Sequence, residues 1–161
     1  MNFRIGFGYD VHRLEAGIPF MLGGVRIDHH KGARGHSDAD VLIHAICDAL
    51  LGALALGDIG QHFPDTDDSY AGMDSLVLLR KVFHLIEEKG YAPGNIDTSI
   101  VLQSPKIQSY IPEMASTIAE ALNMESSDVS IKATTEEKLG FTGREEGVAA
   151  YAVALLYKNE V

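Results

Sequence analysis

The first residues of the chain alternate between two kinds of side chain, and this pattern constrains the fold most. Large apolar side chains occupy the odd positions from Phe3 to Tyr9, whereas a charged residue and two glycines occupy the even ones. A period of two predicts a β-strand. At its end, the stretch "GYDVH" places Asp10 and His12 on one side of an extended chain. A carboxylate and an imidazole aimed at one point suggest a metal site, provided that a third ligand can reach them.

Helical and strand-like patterns alternate along the rest of the chain. Helices are predicted at 38–56, 74–90 and 111–124, strands at 95–103, 128–133 and 147–158, two short strands around Gly23-Gly24 within 19–27, and a polar, turn-rich loop at 58–72. This order predicts a single two-layer α/β (α+β) domain over residues 1–161, with a mixed sheet and helices on one face. The other face then needs cover, which another subunit could provide.

Composition limits the kinds of partner. The formal charge of −10 argues against nucleic acid and against an anionic membrane surface, which both require a basic face. A phosphorylated small molecule is still compatible, with help from metal ions, helix N-termini or a few cations. No apolar stretch reaches the ~18 residues of a membrane span, and the N-terminus lacks the layout of a signal peptide, so we expect a cytoplasmic protein. The single Cys47 can form neither an intrachain disulfide nor a cysteine-based zinc motif, and we expect it to be buried.

His44 allows two interpretations. It lies in the first predicted helix with Asp40 and Asp48 four residues to either side, which is compatible with a solvated polar stripe. Alternatively, His44 is the third metal ligand beside Asp10 and His12. Three protein ligands leave one coordination position open, as in catalytic zinc sites.

Two further motifs can each be read as helix caps or as binding sites. In "HSDAD", Ser37 could cap the first helix with Asp40 as its N3 partner, or His36 could meet a phosphate at the helix N-terminus. In "KATTEEKLGFTGR", Thr134 and Glu137 match a capping box. The same stretch could also form an anion site at a helix start, with Glu137 binding a magnesium ion shared with a diphosphate.

Together, these motifs resemble a known enzyme family. The stretches "GYDVH", "GGVRI", "HSDADVLIHAICDALLGALALGDIGQHFPDTD", "SPK" and "IKATTEEKLGFTGREEG" are similar, in order and spacing, to the 2-C-methyl-D-erythritol 2,4-cyclodiphosphate synthases of the non-mevalonate isoprenoid pathway. The resemblance runs from about residue 4 to about residue 157. Some members are fused to a cytidylyltransferase, and this chain is short enough that we expect it to be monofunctional.

The resemblance implies an assembly and a reaction. It implies a homotrimer whose sheets pack around a threefold axis, with active sites between adjacent subunits. The substrate would be 4-diphosphocytidyl-2-C-methyl-D-erythritol 2-phosphate. Its 2-phosphate attacks the β-phosphorus, CMP leaves, and 2-C-methyl-D-erythritol 2,4-cyclodiphosphate remains. The enzyme would therefore be a phosphorus–oxygen lyase.

The resemblance also assigns roles to individual residues. Asp10, His12 and His44 match the ligands of Zn²⁺, and Glu137 matches the ligand of a second cation, Mg²⁺ or Mn²⁺, on the substrate diphosphate. His36 and Thr135 match residues that support the transition state, for which charge on the transferred phosphoryl group must be stabilised. The remaining matches bind substrate, with Asp58 expected on the ribose and 102–108 forming a cytidine pocket lent by the neighbouring subunit. They are Ser37, Asp58, Ile59, Gly60, Phe63, Pro64, Asp65, Thr66, Asp67, Leu102, Gln103, Ser104, Pro105, Lys106, Ile107, Gln108, Thr134, Phe141 and Arg144.

Two positions depart from some family members, which carry His at the position of Phe7 and Glu at that of Tyr151. The second position lies near the central channel of the family's trimer. Two other functions fit the same motifs. One is a zinc phosphodiesterase with a metal-bound water as nucleophile, and the other is a non-enzymatic trimer that binds cytidine nucleotides.

Overall fold

A computed structural model describes residues 2–64, 66 and 72–159. The elements run in the order β1 (Phe3–Ala16), β2 (Phe20–Leu22), β3 (Val25–Ile27), β4 (Lys31–Arg34), α1 (Val41–Ala53), α2 (Ile59–His62), α3 (Ser75–Glu88), β5 (Tyr91–Val101), α4 (Ile111–Ala121), β6 (Val129–Thr134), α5 (Gly140–Gly143) and β7 (Gly147–Lys158), with 3₁₀ turns at Gln108–Tyr110 and Ser126–Asp128. Within these described residues, no helix has the length and hydropathy needed to cross a membrane.

Five strands form a mixed sheet in the order β4-β1-β7-β5-β6. β7 runs antiparallel to both β1 and β5, whereas β5 and β6 are parallel. The short strands β2 and β3 form a separate hairpin. The predicted mixed sheet with helices is therefore confirmed.

Helix α1 lies at the centre of the helical layer, against β1 and β7. It can approach β1 closely because Gly6 and Gly8 present no side chain to it. A Cβ on Gly8 would lie 1.9 Å from the carbonyl oxygen of Ala45, and one on Gly6 would lie 1.8 Å from that of Ala49. On the strand β7, the small side chains of Ala152 and Ala154 pair with these two glycines and are also buried.

The opposite face of the sheet is apolar and open. The odd-numbered side chains of β1, from Phe3 to Val11, are exposed there, and Tyr151, Val153 and Tyr157 of β7 join them. In a half-buried strand the large apolar side chains ordinarily face the core. In β1 they point away from the helices instead. The alanine-rich run "GVAAYAVALLY" of β7 predicts close packing on this open face. That expectation is wrong, because Ala150, Ala152 and Ala154 line the helical side.

The element boundaries differ from the predicted ones mainly where partners elsewhere in the chain decide them. β1 continues to Ala16 because its second half pairs with β4 as well as β7. "GYDVH" therefore lies inside a strand rather than at its end. The loop 58–72 contains the short helix α2, capped by Asp58, whose carboxylate accepts the amide of Gln61.

Asp40, not Ser37, caps α1, so the predicted Ser37 cap is wrong. The fully buried carboxylate of Asp40 accepts the amide of Ile43 at 3.1 Å and also the amides of Gly23 and Gly24, at 2.9 and 2.7 Å. The two glycines form the predicted turn between β2 and β3, both with positive φ. One carboxylate therefore ties the β2–β3 hairpin to the start of the central helix.

Candidate active site

Three predicted metal ligands converge between β1 and α1. Asp10 and His12 are on the even parity of β1 and face the helix, from which His44 projects. The Nε2 atom of His12 lies 2.9 Å from Oδ2 of Asp10, and Nδ1 of His44 lies 3.0 Å from the same oxygen. The two ring nitrogens are 3.2 Å apart. Among the described residues, this is the group of three His, Cys, Asp or Glu side chains whose ligand atoms could hold one metal ion.

His44 does not belong to a solvated polar stripe. Its side chain is 8% exposed, and it is held at both ring nitrogens. Nδ1 faces Asp10 and His12, while Nε2 lies 3.0 Å from the hydroxyl of Ser75 and 3.2 Å from that of Ser37. The other histidine is fixed in a similar way, since Nδ1 of His12 donates to the carbonyl oxygen of Arg34 at 3.1 Å.

The electrostatics of the triad favour a charged carboxylate. Burial raises the pKa of Asp10, but hydrogen bonds from His12 and His44 outweigh it and lower this pKa to about 2. Burial lowers the pKa of His12, but the hydrogen bond to Asp10, the negative charge of Asp10 and the hydrogen bond to Arg34 together outweigh burial and raise that pKa. One ionised oxygen and two imidazole nitrogens are a donor set that suits a divalent transition metal such as zinc, and three ligands leave a position open.

The triad opens into a cavity of about 360 Å³. Several predicted substrate and catalytic residues share its wall with the triad, namely His36, Ser37, Ile59, Gly60 and Phe63. Leu78 of α3 also lines the cavity and was not predicted. A polar cluster with an apolar wall can accept a ligand that carries both charged and carbon-rich parts.

Hydrogen bonds fix both ends of the segment that follows α1. At its start, the amide of Ile59 donates to Asp48 at 2.8 Å. At its far end, the amide of Gly72 donates to the carbonyl oxygen of His36 at 2.8 Å, and the amide of Asp38 donates to that of Met73. Pro64 and Thr66 are exposed, while the predicted residues Asp65 and Asp67 lie outside the described residues.

The predicted capping box at Thr134 and Glu137 is wrong, as is the helix start there, because β6 ends at Thr134 and the next helix begins at Gly140. Instead, the amide of Glu137 donates to the hydroxyl of Thr135 at 3.3 Å. Glu137 and Lys138 both have positive φ, at 51° and 66°. Two adjacent non-glycine residues in this region are uncommon and indicate a backbone held by its surroundings.

The segments 102–108 and 134–138 lie side by side. The amide of Leu102 donates to the carbonyl oxygen of Thr134, and the amide of Lys138 donates to the side chain of Gln103. The side chains of Leu102 and Ile107 are buried in the core, whereas Lys106 and Gln108 are exposed. Any ligand at 102–108 would therefore meet the backbone of Leu102 and Ile107, but the side chains of Lys106 and Gln108.

The last two predicted residues lie near the start of β7. The ring of Phe141 packs on Gly147, where a Cβ would come within 2.9 Å of it and 3.0 Å of the carbonyl oxygen of His12. The guanidinium of Arg144 pairs with Glu146 at 3.0 Å on the surface. Within the part of the chain that the structure describes, no hydrogen bond or ion pair joins Thr135 or Glu137 to the triad.

Sequence reasoning missed two polar residues behind His44. Ser75, the first residue of α3, is fully buried and contacts the ring of His44, and its hydroxyl donates to Asp38. A serine at a helix start ordinarily indicates a cap, and nothing in the sequence connects Ser75 with His44, 31 positions away.

Comparisons with known proteins identify the family of the chain. The family model described as the YgbB family matches residues 3–157. A 2-C-methyl-D-erythritol 2,4-cyclodiphosphate synthase from Porphyromonas gingivalis is 62% identical over 154 residues, which are 96% of this chain and 95% of that protein. A protein of the same name from Bacteroides thetaiotaomicron is 55% identical over 159 residues, which are 99% of this chain and 100% of that protein.

Two solved structures have closely similar folds. The bifunctional IspDF from Campylobacter jejuni superposes with a TM-score of 0.95 at 40% identity, covering 98% of this chain but only 43% of that longer chain. A CDP complex of IspF from Plasmodium falciparum superposes with a TM-score of 0.88 at 35% identity, covering 99% of this chain and 98% of that one. The extent of the family match and the identity of these relatives show that the chain belongs to the YgbB family, as an enzyme related in sequence and fold to the 2-C-methyl-D-erythritol 2,4-cyclodiphosphate synthases.

Proposed function

We propose that this enzyme converts 4-diphosphocytidyl-2-C-methyl-D-erythritol 2-phosphate to 2-C-methyl-D-erythritol 2,4-cyclodiphosphate and CMP. The observation that carries the proposal is the Asp10–His12–His44 triad at the wall of a cavity, in a chain 62% identical to a synthase of that name. An oxygen of the 2-phosphate forms a bond to the β-phosphorus as the bond from that phosphorus to the CMP oxygen breaks. The reaction class is therefore that of a phosphorus–oxygen lyase.

The metal that suits the triad is zinc, held by Oδ2 of Asp10, Nε2 of His12 and Nδ1 of His44. When bound, zinc supplies a Lewis acid that withdraws charge from a phosphate oxygen. The three ligand atoms already lie within 4.8 Å of one another. The protein therefore needs little rearrangement to bind the ion.

Other residues of the cavity would bind and orient the substrate. His36 and Ser37 border the triad, where they can donate to phosphate oxygens, and Ile59, Phe63 and Leu78 provide an apolar wall for the methylerythritol carbons. These contacts would hold the attacking phosphate against the β-phosphorus, and such positioning lowers the entropic cost of the reaction. The CDP complex of the Plasmodium falciparum relative supports a cytidine diphosphate ester as substrate.

Thr135 and Glu137 would act on the diphosphate. We assign Glu137 as the ligand of Mg²⁺ or Mn²⁺, since an exposed carboxylate held by a strained backbone is free to bind a hard cation. Thr135 lies beside it, its hydroxyl 3.3 Å from Oε1 of Glu137. Gln103 borders the same segment, which agrees with a cytidine pocket at 102–108.

In this proposal the active form of the enzyme is a homotrimer. The exposed face of the sheet carries Ile5 at 65% and Phe7 at 63% exposure, together with Tyr9, Tyr151 and Val153. Monomeric proteins rarely leave such a continuous apolar area in water. Packing three sheets around an axis would bury it and bring the segments 102–108 and 134–138 of one copy towards the triad of the next.

Phosphorus NMR of the products tests the proposed reaction. The zinc-loaded protein with magnesium and the diphosphocytidyl substrate should give a cyclic diphosphate and CMP. Linear phosphate products would instead indicate a zinc phosphodiesterase, and unchanged substrate that nevertheless binds would indicate a nucleotide-binding protein. Either outcome would overturn the proposal.

A further inference from the structure

The ring of His44 has a polar contact on each side, and these contacts have different roles. Nδ1 points into the triad, 3.0 Å from Asp10. Nε2 points away from it, towards the hydroxyl of Ser75. A neutral imidazole carries one proton, so a histidine that binds a cation through Nδ1 must keep that proton on Nε2. The group next to Nε2 must then accept a hydrogen bond.

Ser75 is arranged as such an acceptor because its own proton is engaged elsewhere. Its hydroxyl donates to Oδ1 of Asp38, and its backbone amide donates to Oδ2 of the same carboxylate at 3.1 Å. Both contacts fix the orientation of Asp38 relative to the serine. The oxygen of the hydroxyl therefore presents a lone pair to Nε2 of His44, at 3.0 Å, in a fully buried position.

The neighbouring Ser37 is less suited to this role. Its hydroxyl is 3.2 Å from Nε2, but it also accepts the amide of Ala39 and lies at the wall of the cavity. No described carboxylate is bonded to it. Ser37 is thus available to substrate, whereas Ser75 is enclosed behind the ligand.

We infer that Asp38 and Ser75 form a chain of hydrogen bonds, called the relay below, that positions His44. The relay holds the ring of His44 in the orientation that metal binding through Nδ1 requires, with the proton on Nε2. The inference rests on the proposed metal site at Asp10, His12 and His44. Both are positioning residues, since they act through His44 and touch neither metal nor substrate. His12 obtains the same support from the carbonyl oxygen of Arg34, so His44 is the histidine of the triad that depends on side chains for it.

The relay also connects His44 to the segment that follows α1. Ser75 begins α3, which carries Leu78 of the cavity wall. The amide of Asp38 donates to the carbonyl oxygen of Met73, at the far end of the segment that follows α1. A substitution at Ser75 would therefore mainly affect the position of His44, and it would affect the wall of the cavity to a smaller extent.

Zinc affinity and the spectrum of the cobalt-substituted protein test the inference. The dissociation constant for Zn²⁺ is measured by competition with a chromogenic chelator, and Co²⁺ in the same site reports the ligand geometry through its visible absorption. Substitutions behind a metal ligand typically weaken affinity 10- to 100-fold. We expect a loss in that range for Ser75→Ala, with a changed cobalt spectrum.

Asp38→Asn provides a second variant that keeps the volume of the side chain. Its amide group cannot accept both hydrogen bonds from Ser75, and an NH₂ group facing the hydroxyl would turn that proton towards His44. We expect weaker zinc binding from this variant too. Because both residues act through one contact, the double variant should lose little more than the more affected single variant.

Thr98→Val is the matched control. Thr98 is another buried hydroxyl, 1% exposed, and donates to the carbonyl oxygen of Ser130 within the sheet. It should lower stability while leaving zinc affinity and the cobalt spectrum unchanged. Wild-type affinity and spectrum in both Ser75→Ala and Asp38→Asn would overturn the relay alone. A wild-type chain that binds no zinc would overturn the proposed metal site, and the relay with it.

Discussion

At the scale of single residues, the site is arranged before any ligand arrives. His12 is held by the carbonyl oxygen of Arg34, and its ring fits because position 35 is glycine, where a Cβ would lie 3.0 Å from Cε1 of the ring. Asp10 is paired across the sheet with the small residue Ala150. Supports of this kind set the ligand atoms in place at little cost to binding.

The zinc content of the protein tests the assignment of the three ligands. Wild-type protein loaded with zinc should hold one ion per chain by elemental analysis, and His44→Ala should hold less than about a tenth of that. Losing one of three ligands leaves a pair that binds zinc weakly. Because His44 is buried and bonded at both nitrogens, the variant should also lose about 1–3 kcal/mol of unfolding free energy.

His84→Ala is the control for this experiment. His84 is an exposed helical histidine that faces Glu87 and Glu88, and its removal should leave the zinc content unchanged. Full zinc content in His44→Ala, or none in the wild type, would contradict the assignment of the ligands.

A substitution at Glu137 should affect activity without affecting stability. Since Glu137 caps no helix and its side chain is exposed, Glu137→Gln should unfold at the wild-type temperature. It removes the charge that a hard cation requires. Activity at limiting magnesium should fall at least roughly a hundredfold, equivalent to about 2.7 kcal/mol.

Glu145→Gln serves as the comparison, because Glu145 is also a glutamate with positive φ, at 57°. It should retain wild-type activity. If Glu137→Gln were as active as this control across magnesium concentrations, Glu137 would not be the ligand of the second cation.

At the scale of elements, close packing of β1 on α1 places the triad. The even parity of β1 carries Gly6 and Gly8 and then Asp10 and His12, so the contact that brings the backbones together also brings Asp10 towards His44. Sequence predicted the strand, the helix and the shared side of Asp10 and His12, since these depend on local periodicity. It did not predict which face of β1 would be covered, because the odd parity has the larger apolar side chains.

Other elements escaped prediction for related reasons. The second half of β1 exists because β4 and β7 pair with it, and such partners are remote in sequence. The short α5 and the turn at Glu137 follow the signals of a capping box but depend on tertiary contacts, including the hydrogen bond from the amide of Lys138 to the side chain of Gln103, 35 positions away. The Ser75–Asp38 pair required the packing of α3 against α1, which no local pattern encodes.

Gly8→Ala tests the contact between β1 and α1. Its Cβ would lie 1.9 Å from a backbone oxygen of α1, so strand and helix must separate. We expect a loss of about 3 kcal/mol or more in urea unfolding, at the upper end for overpacked cores. Zinc affinity should fall as well, because Asp10 would move with the strand.

Gly52→Ala is the counterpart within α1. A Cβ there would meet only the carbonyl oxygen of Phe7, at 3.8 Å, and alanine favours the helix by roughly 0.5–1 kcal/mol over glycine. This variant should be slightly more stable than the wild type. Equal stabilities of the two variants would show that the close approach at Gly8 does not exist in solution.

At the scale of the whole molecule, two separate features suggest that one chain does not form a complete active site by itself. The sheet exposes an apolar face opposite its helices. In addition, Asp10, Ala150, Ile100 and Ala133 form one row across β1, β7, β5 and β6. Three strand spacings, about 14 Å, therefore separate the strand that bears Asp10 from the strand that precedes Thr135. Assembly around the exposed face would explain both features. It would bury the apolar side chains, and a neighbouring copy could supply the Thr135 that the same chain holds at a distance from Asp10.

Sedimentation tests this assembly. The chain has a mass of 17.4 kDa, and at micromolar concentration the wild type should sediment with three times that mass. Ile5→Lys places a charge within the exposed face, where its burial against a second sheet would cost several kcal/mol. Because Ile5 is 65% exposed in the single chain, the fold can tolerate the lysine while the interface cannot. The variant should therefore sediment at or near the monomer mass with an unchanged far-UV circular dichroism spectrum, and it should lose activity if neighbouring copies complete each site.

Val77→Lys is the matched substitution on the helical side of the molecule. Val77 is an exposed apolar residue of α3, 37% accessible, and a charge there should leave the assembly intact. Ile5→Lys protein that keeps the wild-type mass would place the interface elsewhere. A wild-type protein that sediments as a monomer yet turns over substrate would show that a single chain is sufficient for activity. Its own segments would then have to bring Thr135 and Glu137 to the triad.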